Sequence, residues 1–146
     1  KYPRYKFLEE NFYSHEGQYD FCISLFSIPD YFGLSTISKS YDLLKDNGMF
    51  VSTFINKKGS YKKIHCIEEN GVDYNPYSYT YEEIANELHN LGFTWYYILS
   101  IVDTTDSTDV QKMKNYLIYN KHSLAHAKYF FVIALKNEAK HRNQCI

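Results

Sequence analysis

The residues between 56 and 79 carry several tyrosines and a histidine that could do chemistry. Aromatic faces attract flat and cationic ligands, so Tyr61, Tyr74 and Tyr77 are predicted to wall a ligand pocket. His65 could accept a proton near neutral pH. The alternatives are that the tyrosines cover the edge of a sheet and that His65 is exposed to solvent. Because so long a connection is usually functional or mobile, we interpret residues 56–79 as an insertion that forms a lid.

Metal-ligating residues do not occur in a set that could bind an ion. His122 and His126 are four residues apart and would share one face of a helix, but no third ligand lies near them in the sequence. The three cysteines, Cys22, Cys66 and Cys145, are far apart and odd in number. We therefore predict no metal site, free thiols and a cytoplasmic location.

The elements that must position these residues begin with a strand–helix–strand unit whose strands are almost entirely apolar. Residues 19–26 are predicted to form a buried strand, residues 34–44 an amphipathic helix, and residues 49–55 a second buried strand. Such a unit predicts an α/β fold, in which a parallel sheet is covered on both faces and binds ligands at the carboxyl ends of its strands. The other predicted elements are a strand at 5–10, an irregular segment at 28–33, a helix that starts at a capping box at Thr80 and ends at Gly92, a strand at 93–102, a helix at 110–127, a strand at 129–135 and a polar tail at 137–146.

Length, charge and hydropathy limit the possible classes of protein and partner. The 146 residues suffice for one domain, which we predict over residues 1–136. A formal net charge of −1 gives no electrostatic footprint for nucleic acid. No apolar run approaches the roughly 20 residues that a membrane span needs. We predict no nucleic-acid partner and no membrane partner.

Four motifs, taken in order, give the chain a resemblance to a known family. They are the strand opening Tyr19-Asp20-Phe21, the helix end Leu44-Lys45-Asp46-Asn47-Gly48, the helix end Leu91-Gly92-Phe93, and the last apolar strand, Tyr129 to Leu135. In this order they resemble the carboxyl-terminal two-thirds of class I S-adenosylmethionine-dependent methyltransferases. The resemblance implies a partial Rossmann-like sheet, mostly parallel with an antiparallel last strand and with helices on both faces. The family's glycine-rich cofactor loop and its acidic ribose-binding residue have no counterpart in the sequence.

The resemblance also implies which residues would contact the cofactor. Asn11 and Phe12 match the position after the family's third strand, where the adenine is bound. Ser24, Leu25 and Phe26 match the end of the fourth strand, which faces the amino-acid part of the cofactor. The alternatives are that Asn11 caps its own turn and that Leu25 and Phe26 are core residues.

Acceptor-binding and catalytic residues of the family often lie in the segment matched by Pro29-Asp30-Tyr31. By resemblance, Asp30 would act as a base or bind a substrate amine, and Tyr31 would contact the acceptor. The alternative is that this segment is a turn that starts a helix.

The function implied by the resemblance is that of a portion of an S-adenosylmethionine-dependent methyltransferase acting on a small organic acceptor. Because the cofactor loop is missing, the chain alone is not expected to be competent, and an amino-terminal half or a protein partner would have to complete it. One alternative is a non-catalytic methyltransferase-like scaffold or interaction module. Another is a different doubly wound enzyme, such as a dehydrogenase, although that enzyme would also need a glycine-rich loop.

Overall fold

A computed structural model of the chain describes residues 8–59, 76–103, 116–119 and 128–137. The elements are β1 (Tyr19–Ser24), α1 (Ile28–Phe32), α2 (Ser35–Leu43), β2 (Leu44–Asn56), β3 (Ser78–Tyr79), α3 (Tyr81–Leu91), β4 (Trp95–Asp103), β5 (Tyr116–Tyr119) and β6 (Tyr129–Leu135). The strand–helix–strand unit predicted from the sequence is present as β1, α2 and β2. The prediction that its first strand is buried is wrong, because β1 lies at the end of the strand order and most of its side chains are exposed.

The strands form one sheet in the order β1-β2-β6-β4-β5, and the short β3 pairs with β2. β2 is parallel to β1 and β3, whereas β6 is antiparallel to both β2 and β4, and β5 is antiparallel to β4. The antiparallel last strand is confirmed, but the prediction of a mostly parallel sheet is wrong. Because the reversed β6 lies between β2 and β4, both of its pairings are antiparallel, and β5 adds a third.

The hydrophobic core lies between one face of the sheet and the two longer helices, α2 and α3. Its fully buried members include Phe50 and Phe54 of β2, Phe130 and Val132 of β6, Ile37 of α2, and Ile84 and Leu88 of α3. Burying each such side chain contributes about 1.5–3 kcal/mol. The two longer helices of the described part of the chain therefore pack on the same face of the sheet.

Local sequence signals explain how α3 begins and ends. The Thr80 hydroxyl accepts from the backbone N–H of Glu83 at 3.2 Å, and the Glu83 carboxylate accepts from the backbone N–H of Thr80 at 2.8 Å. At the other end Gly92 adopts φ +99°, a left-handed conformation that favours glycine. The helix predicted from the capping box and this glycine is confirmed.

A buried lysine links the end of α2 to the end of β6. The Lys136 ammonium donates to the backbone carbonyls of Tyr41 and Leu44 at 2.8 and 2.9 Å, and it lies 4.1 Å from the centroid of the Tyr41 ring. A cation at the carboxyl end of a helix also complements the helix dipole. Lys136 thus satisfies carbonyls at the junction where α2 passes directly into β2.

Three other secondary-structure predictions are wrong. Residues 8–10, the described part of the strand predicted at 5–10, form no strand. Residues 28–32 form the short helix α1 instead of an irregular segment, because Pro29 stands in the first turn, where a missing N–H costs nothing. Residues 116–119 form β5, within the segment predicted as a helix at 110–127. The rest of that segment, residues 60–75 of the predicted insertion and residues 138–146 of the predicted tail lie outside the described residues.

Candidate functional site

The carboxyl end of β1 continues into a strained turn. Phe26 has φ +54°, in the left-handed region that a bulky side chain rarely adopts. Its backbone N–H donates to the Thr53 hydroxyl at 2.6 Å, and the Ser52 hydroxyl donates to the Ser24 carbonyl at 2.8 Å. Two adjacent hydroxyls of β2 therefore hold the backbone after β1 in a conformation that it would not adopt alone.

The same turn presents apolar side chains to solvent. Leu25 and Phe26 are about half exposed, at 46% and 54%. The Phe26 ring meets the Tyr129 ring edge-on, with centroids 5.0 Å apart. Leu25 and Phe26 are thus not core residues, and they form an apolar surface at the end of the strand.

Asp30 lies in α1, directly after this turn. Burial of the half-buried carboxyl raises its pKa to about 6. The Asp30 backbone carbonyl accepts from the backbone N–H of Tyr77 at 2.9 Å, which joins the start of β3 to α1. The structure therefore brings Asp30, the neighbouring Tyr31 and Tyr77 into one region.

Two parallel tyrosine rings form the side of this region next to α1. The Tyr77 and Tyr79 rings are 6.3 Å apart with an interplanar angle of 2°. The Tyr79 hydroxyl accepts from the backbone N–H of Leu34 at 3.1 Å, and a Cβ added at Gly33 would collide with that hydroxyl. Gly33, at φ +64°, is therefore needed both for its backbone conformation and for the close approach of Tyr79.

Asn11 lies in a turn whose hydrogen bonds are local. Its side-chain carbonyl accepts from the backbone N–H of Tyr13 at 3.0 Å, and its backbone carbonyl accepts from Ser14 and His15. This is the capping arrangement that stood as the alternative to a cofactor contact. A carbonyl oxygen can accept a second hydrogen bond, so a cofactor contact by Asn11 stays a prediction.

A cavity of about 280 Å³ lies beside β1 and is also lined by residues of α2 and by Phe50 of β2. Its lining includes Phe12 and Ser24, two of the predicted cofactor residues, together with Phe21, Cys22 and Ile23. Burial raises the pKa of the Cys22 thiol to about 11, so this sulfur is protonated and inert at neutral pH.

A hydrogen-bonded chain of three side chains at this cavity was not predicted from the sequence. His15 Nδ1 donates to a Glu10 carboxylate oxygen at 2.5 Å, and His15 Nε2 shares a hydrogen bond with the Tyr19 hydroxyl at 2.6 Å. Glu10 and His15 lie in a loop and Tyr19 is the first residue of β1, so no repeating pattern in the sequence predicts that these side chains meet. Tyr19 is separated from Ser24 by about 17 Å of strand, so this chain does not belong to the site at the carboxyl end of β1.

The remaining predicted site residues, Tyr61, His65 and Tyr74, lie outside the described residues. Within the described ranges, His, Cys, Asp and Glu side chains form no group of three that could hold a metal ion. Nor does any helix in that part of the chain have the length and apolar character needed to cross a membrane.

Comparison with solved structures relates this architecture to a known protein. The chain is similar to a crystal structure from Thermotoga maritima described as an S-adenosylmethionine-dependent methyltransferase, possible histamine N-methyltransferase, with a TM-score of 0.58 over 81% of this chain. The fold is methyltransferase-like. At 11% sequence identity the similarity shows the fold alone, and the match spans 56% of the Thermotoga chain. No protein-family model matches the sequence, and no curated protein matches it either.

Proposed function

We propose that this chain is one portion of an S-adenosylmethionine-dependent methyltransferase that acts on a small organic acceptor. The observation that carries the proposal is the strained, apolar turn at the carboxyl end of β1 in a methyltransferase-like sheet. Ligands of open α/β sheets bind at the carboxyl ends of the strands. Strained residues cluster at functional sites, which adds weight to this location.

The cofactor would supply an electrophilic methyl group. On this chain, Ser24, Leu25 and Phe26 would line the pocket from the end of β1, and Asn11 and Phe12 would reach it from the preceding loop. The half-exposed Leu25 and Phe26 suit the apolar parts of such a ligand. A glycine-rich loop would have to come from outside this sequence, so the chain supplies only one side of the pocket.

The acceptor would bind beside α1. The Asp30 carboxyl, with its pKa near 6, could take a proton from an acceptor or pair with an amine. Tyr31 and Tyr77, each about half exposed, would offer aromatic faces to a flat or cationic molecule. Since the Thermotoga protein is described as a possible histamine N-methyltransferase, an aromatic amine is a suitable first acceptor to test. Roles for Tyr61, Tyr74 and His65 in the same pocket belong to this proposal as well.

A non-catalytic methyltransferase-like scaffold is the second candidate. It is favoured by the absence from the sequence of both the glycine-rich loop and an acidic residue for the ribose. A scaffold of this kind would keep the sheet but would have no specific contact with the cofactor at the end of β1.

Nuclear magnetic resonance of the ¹⁵N-labelled chain distinguishes the two candidates. We expect S-adenosylhomocysteine to bind weakly, with a dissociation constant of about 1 mM, and to shift the amide signals of Phe12, Ser24, Leu25 and Phe26. Phe26→Ala should reduce these shifts, whereas Tyr97→Ala, which removes another exposed aromatic ring, should not. The absence of shifts at these four residues, or equal shifts throughout the chain, would favour the scaffold.

A further inference from the structure

The hydrogen-bonded chain of Glu10, His15 and Tyr19, which we call the Tyr19 triad, has the geometry of an activated hydroxyl. A nucleophile, a base within hydrogen-bond reach of it and a third group that orients the base together characterise nucleophilic catalysis. The Tyr19 hydroxyl lies 2.6 Å from His15 Nε2, and a Glu10 carboxylate oxygen lies 2.5 Å from His15 Nδ1. Such a triad is recognised by geometry and roles, whatever the fold and the order of its residues in the sequence.

Several contacts fix the two rings of the triad. The His15 and Tyr19 rings are stacked, with their centroids 5.6 Å apart. A Cβ added at Gly17 would lie 2.8 Å from the Tyr19 ring, so the ring can rest against this backbone only because residue 17 is a glycine. The Gln18 amide donates to the Asp42 carbonyl, in the last turn of α2, at 3.0 Å. The segment that carries the triad is therefore anchored to the rest of the fold.

The cavity of about 280 Å³ beside β1 places a binding site next to the triad, because His15 and Tyr19 are two of its lining residues. The other lining residues are apolar or carry a hydroxyl, and none of them is Asp, Glu, Lys or Arg. Small-molecule pockets measure about 300–1,000 Å³, so this cavity suits a ligand with one aromatic ring. An uncharged lining favours a neutral ligand, because a charged one would lose its hydration without gaining a partner.

A second nucleophile in the cavity, the Cys22 thiol, is not activated. Burial raises its pKa to about 11, and its S–H donates to the Ser40 carbonyl at 3.8 Å. An electrophile in this cavity therefore meets a hydroxyl that has a base beside it and a thiol that has none.

We propose that Tyr19 is a nucleophile that accepts an acyl group from a small, neutral aryl ester bound in this cavity. Glu10 holds a proton on His15 Nδ1, so Nε2 of the neutral ring is free to take the phenolic proton as the Tyr19 oxygen bonds to the ester carbonyl carbon. The Glu10 carboxylate stabilises the imidazolium that forms. The bond between the carbonyl carbon and the aryl oxygen then breaks, and His15 returns the proton to the departing aryl oxide. The products are O-acyl-Tyr19 and a phenol.

This site does not depend on the proposed function. Tyr19 lies at the opposite end of β1 from Ser24, and acyl transfer to it uses neither the cofactor nor Asp30.

Acetylation of the full chain by p-nitrophenyl acetate at pH 8 tests the proposal. Tandem mass spectrometry of proteolytic peptides measures the rate of acetylation at each tyrosine. Tyr97 is the internal control, because it is 41% exposed, against 39% for Tyr19, but has no histidine beside its hydroxyl among the described residues. We expect Tyr19 to be acetylated at least about 100-fold faster than Tyr97. This comparison is made within one protein and needs no variant to fold.

Variants test the role of each member of the triad. His15→Gln keeps a hydrogen-bonding group but supplies no base, and should lower the rate at Tyr19 to about that at Tyr97. Glu10→Gln should lower the rate at Tyr19 by about tenfold or more, because the imidazolium then lacks its carboxylate. Tyr97→Phe should leave the rate at Tyr19 unchanged. Thermal unfolding checks that each variant is folded.

A charged ester tests the role of the cavity. The carboxylate of 4-acetoxy-3-nitrobenzoate should slow acetylation of Tyr19 by about tenfold or more relative to p-nitrophenyl acetate, and should change that of Tyr97 little.

Equal rates at Tyr19 and Tyr97 in the parent chain would overturn the proposal. It would also be overturned if folded His15→Gln reacted as fast as the parent, if Cys22 were acetylated in place of Tyr19, or if Tyr19 reacted equally fast with the two esters. No cofactor is present in these experiments, so failure here is distinct from failure of the proposed function, which is read from the cofactor-induced amide shifts.

Discussion

Replacing Thr53 with valine should release the turn after β1. The Thr53 hydroxyl, in a residue that is 2% exposed, accepts from the Phe26 backbone N–H at 2.6 Å. Valine has nearly the same shape but no acceptor, so Thr53→Val leaves that N–H unpaired without opening a cavity. The substitution therefore isolates the hydrogen bond that holds Phe26 at φ +54°.

The expected size of the effect follows from two opposing contributions. An unpaired, partly buried N–H costs about 1–3 kcal/mol. The left-handed conformation of Phe26 costs about 1–2 kcal/mol, and part of this is regained if the turn relaxes. We expect Thr53→Val to reduce the free energy of unfolding by about 1–2 kcal/mol and to weaken the cofactor-induced amide shifts at Phe26.

Thr36→Val is a matched control for the same chemical change. Thr36 is 1% exposed, and its hydroxyl oxygen has no hydrogen-bond partner among the described residues. Removing a buried, unpaired hydroxyl should leave stability unchanged or raise it by up to about 1 kcal/mol. Urea unfolding at a fixed temperature measures both variants. Equal losses of stability in the two variants would refute the assignment of the Thr53 hydrogen bond as the support of the turn.

Three further substitutions test other parts of the structure. Gly33→Ala should reduce the free energy of unfolding by about 2–3 kcal/mol, because alanine is strained at φ +64° and its Cβ would displace the Tyr79 hydroxyl. A loss below about 0.5 kcal/mol would contradict this packing. Lys136→Met should cost about 2 kcal/mol, because it removes the two hydrogen bonds that the buried ammonium donates to the Tyr41 and Leu44 carbonyls. Lys45→Met, which removes a surface ion pair, should cost less than about 0.5 kcal/mol, and urea unfolding compares the two variants. In the folded chain the pKa of Asp30 is raised to about 6, so ionising this carboxyl destabilises the fold as pH rises from about 4 to about 6. Asp30→Asn should therefore be more stable than the parent near pH 8 but not near pH 4. The gain should be at most roughly 1 kcal/mol, because the side chain is partly exposed to solvent. Urea unfolding at both pH values checks this, and a difference that does not depend on pH would be inconsistent with it.

The parts of the fold that depend on local signals could be predicted from the sequence. The capping box at Thr80 and the glycine at 92 predict α3, and the apolar period predicts α2 between β1 and β2. The sequence pattern predicts a helix at 110–127, because apolar residues recur there at positions 110, 113, 117 and 124. In the structure, residues 116–119, which are mostly aromatic or β-branched, instead form β5 and pair with β4. A pairing between segments so far apart in the sequence cannot be predicted from a local pattern.

The position of the candidate site could be predicted from the sequence, but the contacts that hold its residues in place could not. The resemblance implies that the site lies at the end of β1 and includes Asp30. However, the left-handed Phe26 depends on Thr53, 27 residues away, and the raised pKa of Asp30 depends on burial by the folded chain. The chain of hydrogen bonds through His15 likewise depends on how a loop folds back on itself. Contacts of this kind arise only after the elements have been assembled.

Calorimetric titration of the isolated chain with S-adenosylmethionine and S-adenosylhomocysteine tests the central claim most directly. The claim is that this chain contributes one side of a methyltransferase cofactor pocket and lacks the glycine-rich side. It predicts no saturable binding tighter than about 1 mM. A specific, low-micromolar dissociation constant for the chain alone, about 10 μM or below, would contradict the claim, because the residues present would then suffice to hold the cofactor.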